Sequence, residues 1–179
     1  MSFFGKIWDW LIGLLWKKEM SITIIGLSNA GKSTLIQSLM GSKDQETVPT
    51  IGVQCNSFVK GSVEIKAWDI GGSSQFQFLW PTYCHNANAI LYVCDAADEN
   101  AIEQSANQLH DLFSNNTVRN TPLLVCGNKE DLPEALSSEQ LIEKLRLRDL
   151  EGHDIALFMI SAKTHLHLDS VVNWLINKA

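Results

Sequence analysis

The segment Gly26-Leu27-Ser28-Asn29-Ala30-Gly31-Lys32-Ser33 sets two glycines, a lysine and a hydroxyl at GxxxxGK[ST] spacing, between an apolar run and a helical pattern. Such a loop aims backbone N–H groups and a helix N-terminus at phosphate oxygens, and the lysine adds a full charge near the β and γ positions. Ser28, Asn29, Ala30, Gly31, Lys32, Ser33 and Thr34 are the expected phosphate contacts, with the Ser33 hydroxyl a ligand of Mg²⁺. A phosphate loop by itself leaves the base open. Asn128-Lys129-Glu130-Asp131, at the end of a later apolar run, narrows the choice. The Asp131 carboxylate can accept both donor hydrogens of guanine's Watson–Crick edge, a pair that adenine cannot supply. Lys129 would lie along the base, and Ser161-Ala162-Lys163 would offer a backbone N–H to the guanine oxygen.

Two further pieces suit a γ-phosphate sensor: Thr50 within Pro49-Thr50-Ile51-Gly52, and Asp69-Ile70-Gly71-Gly72. Thr50 can reach Mg²⁺ only when the γ-phosphate draws its loop inward, Asp69 reaches the metal through water, and the Gly72 N–H meets the γ-phosphate. Lys32, Thr50 and Gly72 therefore surround the bond that hydrolysis would break. A PTIG or a DxxG alone means little; four elements in order, each at the end of an apolar run, imply a protein that holds GTP or GDP with Mg²⁺ and changes shape between them.

The elements that must position these residues alternate along the chain. Apolar runs at 22–26, 63–68, 89–95, 122–127 and 155–160 read as strands, and helical patterns follow at 32–40, 99–113, 138–145 and 168–177. That alternation predicts an α/β fold with a mainly parallel sheet covered on both faces. Residues 53–59 form a further strand, turned back through Lys60-Gly61 to pair antiparallel at the sheet edge. The expected division is an N-terminal helix over 1–19 and one nucleotide-binding domain over 20–179.

Composition agrees with a single core: 179 residues, 45% hydrophobic and 19% charged. A net charge of −6 and the absence of any long Lys/Arg cluster argue against nucleic-acid partners. Cys55, Cys84, Cys94 and Cys126 show no CxxC spacing and fit reduced thiols in a cytoplasmic protein. Near the start, Phe3, Phe4, Ile7, Trp8, Leu11, Leu14 and Leu15 share one helical arc and Gly5, Lys6, Asp9, Gly13 and Lys17 the other. Trp10, Ile12 and Trp16 border that arc, as indoles do where apolar and wet surroundings meet. The stretch is too short to span a bilayer, so residues 2–17 are expected to lie in a membrane interface.

Trp68-Asp69-Ile70-Gly71-Gly72 and Pro49-Thr50-Ile51-Gly52 are the forms these motifs take in the ADP-ribosylation-factor and factor-like GTPases, which the whole chain resembles. The segments LLWKKEM (14–20), VKGSVEIKAWDIGG (59–72), YCHNANAILYVCDAAD (83–98) and GNKEDLPEAL (127–136) are most similar to the eighth, lysosome-associated factor-like branch. The resemblance implies a Ras-like P-loop fold with a six-stranded sheet, one antiparallel edge strand and an N-terminal amphipathic helix. It implies an interswitch hairpin (53–68) that slides as GTP replaces GDP and releases that helix to a lysosomal or late-endosomal surface. Exchange factors, GTPase-activating proteins and effectors reading the switches are the implied partners, and a monomer is expected.

Three departures qualify the resemblance. Ser73 stands where most relatives carry the glutamine that orients the attacking water, which predicts very slow hydrolysis or none. Serine is too short for that task, and Gln75, two residues on, would need a rearranged loop. Ser2 replaces the glycine that myristoylation requires, so the helix itself must supply membrane affinity. Val53 occupies a position usually phenylalanine, although Trp68 and Tyr83 remain of the aromatic triad that effectors read. Among the other candidates, Phe76, Phe78 and Trp80 suit an effector surface or core equally well. His165 and His167 lack an evident third ligand for a metal.

Overall fold

A computed structural model describes residues 18–42, 47–114, 118, 120–150 and 152–179. The expected N-terminal helix, with its membrane contact through residues 2–17, lies outside the described residues. Among the described residues one sheet has six strands: β1 (Lys18–Ile25), β2 (Val53–Lys60), β3 (Val63–Ile70), β4 (Ala89–Asp95), β5 (Leu123–Asn128) and β6 (Ile155–Met159). Their spatial order is β2-β3-β1-β4-β5-β6, with every pairing parallel except the β2–β3 hairpin at the edge.

Alternating side chains of the central strands feed two cores, since successive residues of a strand point to opposite faces. Leu91, Val93, Leu124 and Cys126 join one face, where α1 (Lys32–Met40) contributes Leu35, Ile36 and Leu39. The C-terminal helix, here α6 (Leu168–Lys178), adds Leu168, Val171 and Leu175 to that layer. Ile90, Tyr92, Cys94, Leu123 and Val125 face the other way, toward α4 (Glu99–Ser114) and Leu141 of α5 (Ser138–Lys144). Burying each such Leu, Ile or Val contributes about 1.5–3 kcal/mol relative to leaving it in water. This double cover explains why the central strands read as unbroken apolar runs rather than alternating ones.

Element ends follow local chemistry. Ser137 and Gln140 form a reciprocal capping box that starts α5, and Gly41 at φ 75° closes α1 in the left-handed conformation. β1 starts at Lys18, four residues ahead of its apolar run, because its parallel register with β3 extends from Lys18 opposite Val63. The periodicity does not announce α2 (Ser74–Gln77), α3 (Trp80–His85) or the 3₁₀ turn at Leu147–Asp149. Elements of three to six residues are too short to show a helical repeat. Among the described residues, no helix is long and apolar enough to cross a membrane.

Candidate functional site

The loop after β1 can form because glycine stands where a side chain has no room. A Cβ on Gly26, at φ 142°, would sit 2.0 Å from the Val93 carbonyl oxygen, and one on Gly31 would meet the Asn128 amide at 2.2 Å. Gly31 leads into α1, so the first-turn N–H groups of that helix face the loop. The Lys32 ammonium is buried at 6% exposure and donates to the carbonyls of Gly26 and Leu27, each at 2.9 Å. Burial lowers its pKa to about 8, against an opposing attraction from Asp69. The lysine thus holds the loop in its phosphate-ready curve while its charge lacks a full counter-ion.

Beside it, three oxygens from three separate segments converge. Ser33 Oγ donates to Asp69 Oδ2 at 2.5 Å, Thr50 Oγ1 donates to the same oxygen at 3.1 Å, and the two hydroxyls lie 2.9 Å apart. Asp69 is 1% exposed, and its other oxygen, Oδ1, is buried without a hydrogen-bond partner. An orphaned carboxylate oxygen beside two hydroxyls is a hard-oxygen donor set of the kind a magnesium ion takes, so the residues present fit that ion. Gly72 completes this end: a Cβ there would lie 2.4 Å from Leu27 C and Ser28 N, so switch backbone rests directly on phosphate-loop backbone.

At the opposite end, Asn128 is a brace. Its amide donates to the Ala30 carbonyl at 2.8 Å and its Oδ1 accepts from the Ala162 N–H at 2.9 Å, tying the phosphate loop to the loop after β6. Ser161 is fully buried and its hydroxyl accepts from the Thr164 N–H, shaping the same turn. Lys129, at φ 68°, forms an ion pair with Asp95, whose second oxygen accepts the Ala97 N–H at 3.0 Å. Asp131 is exposed on the wall.

These pieces enclose one cavity of about 960 Å³. Its lining includes Ser28, Asn29, Gly31, Lys32, Ser33, Thr34, Thr50, Gly72, Ser73, Asn128, Lys129, Asp131, Ser161, Ala162 and Lys163, residues scattered over 136 positions of chain from 28 to 163. Ala30 is not on the wall: it is buried and gives its carbonyl to Asn128. Asp69 lies behind Ser33 and Thr50. Thr47, Val48, Leu132, Phe76 and Gln75 also line the space; sequence motifs gave no reason to single out the first three, and Phe76 was weighed only as effector surface or core. Asp95 was missed as well, although an acidic residue closing β4, the strand paired with the one that leads into the NKED loop, was a usable signal.

The aromatic segment after Gly72 divides. Trp80 is core at 2% exposure, Phe78 is 74% exposed, and Phe76 folds over Gly71. Trp68 and Tyr83 pack at 5.4 Å between ring centroids. His167 pairs with Glu130 and the Met159 carbonyl, and no cluster of three His, Cys, Asp or Glu side chains able to hold a metal occurs among the described residues.

A profile of the ADP-ribosylation factor family matches residues 6–179. The chain is 41% identical over 177 residues to ADP-ribosylation factor-like protein 8b of Arabidopsis thaliana, covering 98% of this chain and 96% of that protein. It is 37% identical, with the same coverage, to ADP-ribosylation factor-like protein 8c of the same plant. Among solved structures it is similar to the Arl6 BBS3 small GTPase from Trypanosoma brucei with the bound nucleotide analogue GppNp. That match has a TM-score of 0.82 and 26% identity, over 89% of this chain and 96% of the other.

Proposed function

This chain belongs to the ADP-ribosylation factor family of small GTPases, and on that premise we propose that it is a GTP/GDP switch that recruits effectors to an organelle membrane. The observation that carries the reading is the meeting of Ser33, Thr50 and Asp69 oxygens beside Lys32, in the same cavity whose far wall bears Asp131. Lys32 and the loop amides hold the phosphates, and Asp131, Lys129 and the Ser161-Ala162-Lys163 turn hold guanine. Ser33, Thr50 and Asp69 are the residues that would hold a magnesium ion there. When bound, that ion neutralises charge on the phosphate oxygens.

Among the described residues, the loop that carries Thr50 is tied to the site by the Thr50 hydroxyl, by a Thr47–Thr34 hydroxyl contact and by the Gly52 carbonyl, few enough bonds that loss of the γ-phosphate frees it. The exposed apolar side chains of Val48 and Ile51 on the cavity rim, with exposed Phe78 after Gly72, support an effector surface that changes with that loop. Exchange factors and GTPase-activating proteins are the partners such a cycle requires, the chain acting as a monomer. Hydrolysis is weak or partner-dependent, because Ser73 itself lacks the reach of a glutamine. Attachment through residues 2–17 to a lysosomal or late-endosomal surface follows from the apolar arc and from the eighth-branch resemblance.

Competition for the purified protein between GTP and ATP, with magnesium present, tests the reading. Guanine nucleotide should win by at least about 100-fold, since an adenine would leave the Asp131 carboxylate facing no donor pair. Equal affinity would remove the proposal.

A further inference from the structure

We propose that Gln75 is the catalytic residue that aligns the attacking water for GTP hydrolysis in this chain, in place of the side chain Ser73 cannot supply. The inference rests on the reading of the cavity as a GTP site and goes beyond it by naming the hydrolytic residue.

The backbone geometry of the segment carries the argument. Gly72 is pinned against Leu27 and Ser28, so whatever follows it starts at the γ-phosphate end of the cavity. Ser73, extended at ψ 151°, immediately begins the short helix Ser74–Gln77, with the Phe76 N–H donating to the Ser73 carbonyl at 2.9 Å. That helix is held down on two sides. Phe76 lies over Gly71, where an added Cβ would meet its ring at 2.5 Å, and the Gln77 amide donates to the Gly72 carbonyl at 3.2 Å. With the helix fixed in this way, Gln75 lines the cavity along with Gly72, Ser73, Phe76 and Thr50. No loop rearrangement is needed to bring it there.

Of the three carboxamides on the cavity wall, Asn29 belongs to the phosphate loop, which leaves Asn128 and Gln75 to weigh. Asn128 spends both ends of its amide on Ala30 and Ala162, and Gln77 spends its donor on Gly72. Gln75 has no hydrogen-bond partner among the described residues, and the Ser73 hydroxyl makes no capping bond. A free carboxamide on the cavity wall can accept a hydrogen bond from water through Oε1 and donate through Nε2. In the step, the water oxygen forms a bond to the γ-phosphorus as the bond from that phosphorus to the β–γ bridging oxygen breaks. GDP leaves with the bridging electrons and the water's proton ends on the released phosphate. Gln75 orients the water and neither gains nor loses a proton.

The test is single-turnover hydrolysis by full-length GTP-loaded protein, followed as phosphate release, for wild type, Gln75→Ala, Ser73→Gln and the double variant. Dissociation of a fluorescent GDP analogue and thermal unfolding are measured in parallel. The expected result is a loss of tenfold or more in hydrolysis for Gln75→Ala, with analogue dissociation and melting temperature unchanged. The double variant should regain hydrolysis, because an amide returns to the adjacent wall. Gln75→Ala hydrolysing no more slowly than wild type, including no measurable hydrolysis in either, overturns the proposal while leaving nucleotide binding intact. Failure of the wild type to hold guanine nucleotide at all sinks the underlying reading instead.

Discussion

Asp131 stands exposed at the mouth of the cavity and Lys32 lies buried at its floor, and the two carry opposite costs. In the proposed guanine site the carboxylate would keep its hydration until a base covers it, and so would discriminate only at the moment of binding. The ammonium has already lost its water, and that desolvation lowers its pKa to about 8 even though Asp69 and two carbonyls favour the charge. Between them, Lys129 is steered by Asp95, a partly exposed pair that acts through orientation more than through stability. Replacing Asp131 with Ala deletes two charge-assisted hydrogen bonds of about 1.5–3 kcal/mol each. GTP affinity should therefore fall by at least about 100-fold with ATP affinity unchanged, as isothermal titration of both nucleotides would show.

At the scale of elements, the strands are placed so that their carboxyl ends meet at one edge of the sheet. β1 delivers the phosphate loop, β3 delivers Asp69 and Gly72, β5 delivers Asn128 to Asp131, and the turn after β6 delivers Ser161 to Lys163. Ligands of open α/β sheets collect at this edge. The same packing seals three thiols: burial pushes Cys84 and Cys94 up to about 12 and Cys126 higher still, while Cys55 on the edge strand β2 is exposed. Since the thiolate is the reactive form, a shift of that size lowers reactivity by about a thousandfold. Alkylation at pH 8 should modify Cys55 alone in the native protein and all four cysteines in denaturant, as peptide mass spectrometry would report. Native modification of Cys94 or Cys126 would mean that the sheet opens on that timescale.

For the whole molecule, the cavity is a joint between loops rather than a hollow in one element. Asn128 links residues 30 and 162, and Asp69 gathers Ser33 and Thr50, so a bound nucleotide would tie segments that the sheet alone holds at a distance. The proposed membrane contact is a separate module, built from the apolar arc of residues 2–17 and not from the pocket. Deleting residues 1–17 should abolish co-sedimentation with liposomes while leaving GDP and GTP affinities within about twofold of wild type. Unchanged co-sedimentation of the GTP-loaded truncation would move the membrane surface elsewhere in the chain.

The four motifs and the strand–helix alternation, read from the residues alone, determined the fold class and nearly all of the cavity wall. Motif spacing and apolar periodicity are local properties, and the phosphate loop at 26–33 and the NKED run at 128–131 are complete within eight and four residues. Only the tertiary structure decided which side chains spend their hydrogen bonds on the protein and which face the ligand. Ala30 and the side chain of Asn128 turn inward as braces, Trp80 joins the core while Phe78 stays out, and Gln75 reaches the wall. Those outcomes depend on contacts between residues up to 98 positions apart, as between Asn128 and Ala30, and no sequence window contains both partners.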